Sequence, residues 1–285
     1  MANDYKKYIL STGTHYISNS GGDEKGGIKG GKAGDQTGKE WRLRTWYSRP
    51  WTCVLRFPDI IVGTLIAQLA IDAALNDKIG YDQGQRDSFW KEAQKVGYFP
   101  AKIKTACEED CTAGVNGCVH CAAYLLDIPA LKKIPETGVR SSNMRKYYKA
   151  AGFQVLTDPK YLKSGDYLLP GDVLLYDNHH GATNVTVGKK VKADYTYHDV
   201  IDNLDEYRHG PTPEPTEYGH VLVTGGSVNI RSAPGTDSRD IGTVHKGDLL
   251  IYQGMTEPWG GRDWYLVIFK NQNGWISSKY SELVP

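Results

Sequence analysis

From Ile61 to about Asn76 the apolar residues Ile61, Leu65, Leu69 and Ala73 recur every four positions, which lays them along one face of a helix, and Gly80 follows its end. Shorter patterns predict helices from about Asp87 to Lys95, from Cys111 through Ala122, Ala123 and Leu126, and from Asn143 to Ala150. Gly152 closes the last of these in the manner of a C-cap. The period then changes. Phe153 to Leu156, Asp172 to Tyr176 directly after the Leu169-Pro170-Gly171 turn, and Ala182 to Val187 before Gly188 read as strands. Helices first and strands afterwards predict an α+β domain. The glycine-rich run from Gly21 to Gly38 should be loop, because glycine loses the most conformational freedom in a regular element. An aromatic and basic stretch follows it, with Trp41, Trp46, Tyr47 and Trp51 among Arg42, Arg44 and Arg49.

Pro211, Pro213 and Pro215 alternate with polar residues, a composition that favours a semi-rigid, extended spacer. This divides the chain into a domain over 1–204 with a glycine-rich N-terminal extension, a linker over 205–218 and a module over 219–285. In the module, β-type runs at Val228 to Arg231, Asp248 to Tyr252, Trp264 to Phe269 and Gly274 to Ile276 are punctuated by Gly, Pro and Asn, the pattern of a small all-β barrel. A length of 285 residues accommodates both.

Charge changes the picture mainly by exclusion. The 34 Lys and Arg balance 33 Asp and Glu, so nothing calls for nucleic acid or another polyanion. No stretch reaches the roughly 20 apolar residues of a membrane helix, and no membrane partner is expected. The opening residues lack the apolar core of a secretory signal, which implies either a start in the cytosol or a mature form. Five cysteines are an odd number, so at least one thiol is free within a monomer, the expected state.

Cys111 follows Asp110 where a polar turn runs into an apolar helical segment. In a first turn, unpaired amides and the positive end of the helix dipole favour a thiolate and can hold the oxygen of a tetrahedral intermediate. His180 opens the strand that leads to Gly188, so the sheet can hold its ring rigidly as a general base. His179 competes for that role, since neighbours on a strand point to opposite faces. Asn184, four residues beyond His180, falls on the same face and is a candidate for lining the cleft, with a surface amide as the alternative. Cys53, Cys118 and Cys121 read as small core residues. A zinc site built from Cys107, Cys111, Cys118, His120 and Cys121 fits poorly, because the spacings are not those of paired structural ligands and one pair lies in an apolar run. His198, His209, His220 and His245 are assigned to the surface.

Asp110-Cys111-Thr112 at a helix start, Pro170-Gly171-Asp172 before a strand and a histidine opening the next strand together resemble the NlpC-type cysteine peptidases of bacterial walls. The similarity runs from about Gly30 to Gly188 and includes the segment from Ile79 to Arg86, which is similar to phage-type lysins. It implies a papain-like NlpC/CHAP-type fold and cleavage of an amide in the peptidoglycan stem by Cys111 and His180, with no metal or organic cofactor. It also implies a tyrosine near the oxyanion, for which Tyr81 and Tyr98 are the candidates. Thr112 and Ala113 depart from the family's usual Ser and Gly, and its third polar residue has no match after Gly188. From Ser227 to Gly235, through Ile241 to Val244 and Lys246 to Asp248, and on to Gly274-Trp275-Ile276, the module resembles the bacterial SH3-type domain, which implies wall binding. Trp259, Trp264, Tyr265, Trp275 and Tyr280 are candidates for an aromatic groove. The resemblances imply an endolysin or autolysin acting on peptidoglycan at the cell wall, reached by phage-type release or secretion. The alternatives are a CHAP-type N-acetylmuramoyl-L-alanine amidase and a non-catalytic wall-binding or zinc-binding protein.

Overall fold

The computed structural model describes residues 4–208, 219–269 and 272–284. The chain divides into two compact units, Met1–His209 and Gly210–Pro285. Of the expected linker, residues 205–208 lie in the helix Leu204–Arg208 and the rest falls outside the described residues.

Helix α2 (Ile60–Ala74) is the centre of the first unit. Asp59 caps it, accepting from the Ile61 amide at 2.8 Å. The four-residue spacing predicts one buried face, yet the helix is buried on all sides from Val62 to Ala73. Its polar positions therefore carry internal partners. Thr64 bonds Tyr195, Gln68 reaches the His198 carbonyl, and Asp72 accepts from Tyr5. Helix α1 (Tyr5–Ile9) supplies that tyrosine.

The sheet draws strands from both sides of α2. β1 (Tyr16–Ser20), β2 (Trp41–Thr45) and β3 (Cys53–Arg56) precede it, and β6 (Gln154–Leu156), β7 (Val173–Tyr176) and β8 (His180–Asn184) follow in the order β2-β1-β8-β7-β3-β6. Every pairing is antiparallel. This corrects two expectations. Strands do not simply follow helices, and the N-terminal segment is no extension, because β1 lies inside the sheet between β2 and β8. Periodicity missed β1 for a physical reason: Ser18, Asn19 and Ser20 are all buried, so the strand shows no apolar and polar alternation. β8 begins at His180, the residue expected to open it, and ends at Asn184, short of the expected Val187.

Helix α4 (Cys111–Leu125) packs beside α2 and helix α3 (Ser88–Lys95) packs on α4, while β4 (Ile79–Tyr81), before α3, and β5 (Cys107–Glu109), after it, form a short parallel pair. Helices α5 (Pro129–Lys132), α6 (Met144–Ala150) and α7 (Pro159–Leu162) lead to the later strands. The Pro170-Gly171-Asp172 turn before β7 is specified sterically. Gly171 has φ +83°, and a Cβ there would stand 2.2 Å from the Gly63 carbonyl oxygen on α2. Arg56 clamps Asp172 with two hydrogen bonds of 2.8 and 2.6 Å. The glycine-rich run from 21 to 38 has no helix or strand, as expected, but its amides are held by carboxylates. Asp23 accepts from Gly27, Asp82 from Gly30 and Glu108 from Gly34, at 2.6 to 2.8 Å.

The second unit is an all-β sheet of the order β11-β10-β14-β13-β12-β9-β15, consistent with an SH3-like domain. Its strands are β9 (His220–Val223), β10 (Ser227–Arg231), β11 (Asp240–His245), β12 (Leu249–Trp259), β13 (Arg262–Phe269), β14 (Gln272–Ser277) and β15 (Ser281–Val284). Val221, Val228, Ile230, Val244, Val267 and Ile276 form its core. β12 runs well past the predicted Tyr252. His220 is buried in β9, against the surface assignment, because β9 is covered by β12 and β15 on its two edges. His245 is exposed and His198 half-buried against Tyr207, while His209 lies outside the described residues.

Candidate active site

Asp110 is the N-cap of α4. Its side chain accepts from the amides of Thr112 at 3.0 Å and Ala113 at 2.9 Å, which starts the helix at Cys111. Arg86 holds the same carboxylate in a buried fork, Nε to Oδ2 at 2.5 Å and Nη2 to Oδ1 at 2.8 Å, and also reaches the Val139 carbonyl. Burial pushes the Asp110 carboxyl up, but the Arg86 guanidinium and the hydrogen bonds from Ala113 and Thr112 outweigh it and keep the group below the ordinary carboxylate range. The first-turn amides expected to be open to a substrate oxygen are thus already used at Thr112 and Ala113.

The structure brings Cys111 and His180 to adjoining positions. Helix α4 packs on β8, where the part-exposed Cys111 lies beside Gly181, the residue after His180, near enough for that residue's backbone N–H to favour a charge on the sulfur. The two elements run close here, since a Cβ on Gly181 would stand in van der Waals contact with Thr112 at 3.4 Å and the Cys111 carbonyl oxygen at 3.5 Å. The His180 ring is buried. It stacks on Trp51, with centroids 6.0 Å apart, and its Nε2 lies 2.9 Å from Asn19 Oδ1. An amide oxygen can only accept, so Nε2 carries the proton and Nδ1 is left as the basic nitrogen. Tyr47 donates to the same Asn19 oxygen at 3.1 Å, and Arg49 donates to the Tyr47 hydroxyl. His179, by contrast, is exposed and stacks on Tyr176.

Electrostatics differ from the expectation of a thiolate favoured by the helix start. Burial, with Asp110 and Glu109 nearby, pushes the Cys111 thiol up to about 12, against the opposing pull of the Gly181 N–H and Arg86. Burial and the cations Arg49 and Arg44 push His180 down to about 3. Both groups rest uncharged at neutral pH. Burial likewise holds the Glu109 carboxyl well above its ordinary range.

The other predicted residues fall in different places. Asn184 does not meet His180; its Oδ1 lies 2.6 Å from His15, and its amide donates to the Leu169 and Thr186 carbonyls. It braces the turn before β7. Burial raises the Tyr81 hydroxyl's pKa, Cys111 lies near enough to add to that, and the tyrosine oxygen accepts from Gln83 at 3.0 Å, leaving the hydroxyl proton available. Tyr98 stacks on Tyr124, about 20 Å along α4 from Cys111 at 1.5 Å per residue. Asn19 was missed from sequence because it lies 161 residues from His180 on a strand of buried polar residues. Cys53, Cys107, Cys118 and Cys121 are buried free thiols. Among the described residues no three His, Cys, Asp or Glu side chains gather as metal ligands, and no helix is long and apolar enough to cross a membrane.

The molecule is thus an α+β unit with a thiol, an imidazole and an amide assembled at a helix start, and an all-β unit after it in the chain. The family model of the endolysin-like domain matches residues 17–191, more than half of the chain, and the chain belongs to that family. The model of the bacterial SH3 domain matches residues 226–282. A search of the curated proteins finds no match. An endolysin-like domain with a bacterial SH3 domain suggests a hydrolase of peptidoglycan that acts at the cell wall.

Proposed function

We propose that the first unit is a papain-like peptidoglycan peptidase in which Cys111 is the nucleophile, His180 the base and Asn19 the positioning residue. The observation that carries this reading is the packing of the start of α4, at Cys111, against Gly181 of β8, one residue from an imidazole whose Nε2 is committed to Asn19. The thiol proton passes to His180 Nδ1 as sulfur attacks the carbonyl carbon of a wall amide and the C–S bond forms. The oxyanion is held by the Cys111 backbone N–H, which has no partner among the described residues, and by the Tyr81 hydroxyl. Collapse breaks the C–N bond, the proton on His180 goes to the departing amine, and water then hydrolyses the thioester. Because thiol and imidazole rest neutral, their charges arise together during attack. The second unit holds the enzyme on its insoluble substrate, raising its local concentration there.

Turbidity loss of purified walls, compared between the wild type and Cys111→Ala, tests this. Equal lysis by both removes Cys111 from the mechanism. Mass spectrometry of the digest then separates an endopeptidase, which frees an amine within the stem or cross-bridge, from an amidase, which frees the amine of the first stem residue.

A further inference from the structure

In the second unit a cavity of about 380 Å3 is lined, among the described residues, by two cations and no acid. Arg231 and Arg262 supply the cations, with Asn229, Trp264, Ser277 and Tyr280 among the remaining lining residues. Strand alternation accounts for the lining. Asn229 and Arg231 lie on the face of β10 opposite the core residues Val228 and Ile230, Arg262 and Trp264 are two apart on β13, and Trp264 pairs with Ser277 of β14. Neither arginine has a carboxylate partner among the described residues. Arg231 is held at one end, its Nη1 donating to the Ser238 carbonyl at 2.6 Å. Lys279, over the Tyr280 ring, acts most strongly on the tyrosine hydroxyl, and Arg262 is close enough to add to its effect. The indole N–H of Trp264 is buried without an acceptor, which is costly unless something else supplies one.

Guanidiniums without a carboxylate partner among the described residues, an orphan indole donor and an aromatic wall describe a receptor that lacks an anion and a carbonyl. We propose that this cavity binds a wall peptide through a free carboxylate, held by Arg231 and Arg262, with Trp264 donating to a carbonyl oxygen of the same peptide and Tyr280 covering it. The amide-directed groups, Asn229 and the Trp264 N–H, favour a peptide over a polyol phosphate, for which the arginines alone would suffice. This rests on the wall-binding reading of the second unit and is independent of the chemistry at Cys111.

The test uses the full chain carrying Cys111→Ala, so that no substrate is consumed. Calorimetry measures binding to a peptidoglycan stem tetrapeptide with free carboxylates, to the same peptide with every carboxylate converted to carboxamide, and to a soluble polyol-phosphate polymer. Binding to the free acid, weakened about tenfold or more by the carboxamides and by Arg262→Gln and partly restored by Arg262→Lys, supports the proposal. Equal binding of acid and carboxamide overturns it, as does an unchanged affinity in Arg262→Gln or Arg262-dependent preference for the polyol phosphate. Tyr280→Ala, at an exposed side chain, provides a second variant that leaves the core intact. Binding to whole walls separates the two failures. A chain that binds walls but not the stem peptide refutes the cavity assignment alone, and a chain that binds neither refutes the wall-binding reading as well.

Discussion

The two sites of this molecule handle their cations in opposite ways. Beside Cys111, Arg86 is buried and spends its guanidinium on Asp110, Thr112 and the Val139 carbonyl, and the His180 ring is locked by Asn19 and Trp51. In the second unit, Arg262 is half-exposed with no carboxylate partner among the described residues, and Trp264 keeps an unused N–H. A reacting site gains from donors fixed in place before the substrate arrives, since reorganising them during reaction would raise the barrier. A binding site gains from donors left for the ligand, because an interaction already satisfied within the protein adds nothing on association.

On this contrast, substitutions at the first site should be severe and those at the second should spare the fold. Cys111→Ala should lower wall lysis at least about a thousandfold while wall binding by the full chain is unchanged, as lysis and pull-down assays would register. Arg86→Leu should cost about 3–5 kcal/mol in denaturant unfolding, because it strands the buried Asp110 charge. A loss below about 1 kcal/mol would mean that the ion pair does not hold the helix start. Asn19→Ala should reduce kcat about a hundredfold with little change in KM, as expected when a base loses its orientation but the binding surface remains.

The neutral resting pair makes a further prediction. Iodoacetamide should alkylate Cys111 slowly at pH 7, with the rate rising about tenfold per pH unit toward the thiol's value of about 12. Fast alkylation at pH 6 would reveal a thiolate–imidazolium pair instead. For stability the sign follows from His180. Its pKa is lower in the folded state, so its contribution is complete above the ordinary value of 6.5 and is lost as pH falls from there toward about 3; His180→Gln should flatten that acid limb in thermal melts. The smallest effect belongs to the second unit. Arg262→Gln should shift unfolding by no more than about 0.5 kcal/mol, the range of an ordinary surface change.

Much of this architecture was legible locally. Asp59 and Asp110 stand where helices α2 and α4 start, and the turn before β7 announces itself through Pro170 and Gly171, so those elements emerge from short-range rules. Strand β1 did not, because its polar residues are buried and find partners only across the sheet. Asn184, expected to line the cleft from the face of His180, instead braces the turn before β7, and the amide that meets the imidazole is Asn19 on β1.

Local chemistry in the chain was enough to single out a thiol at a helix start, a histidine at a strand start and a separate β module, since caps, turns and periodicity act over a few residues. Which amide meets the imidazole, which arginine grips the helix cap and whether the thiol is charged were decided by packing. Those properties depend on groups far apart in sequence and on burial, and both come into being only when the sheet closes around α2.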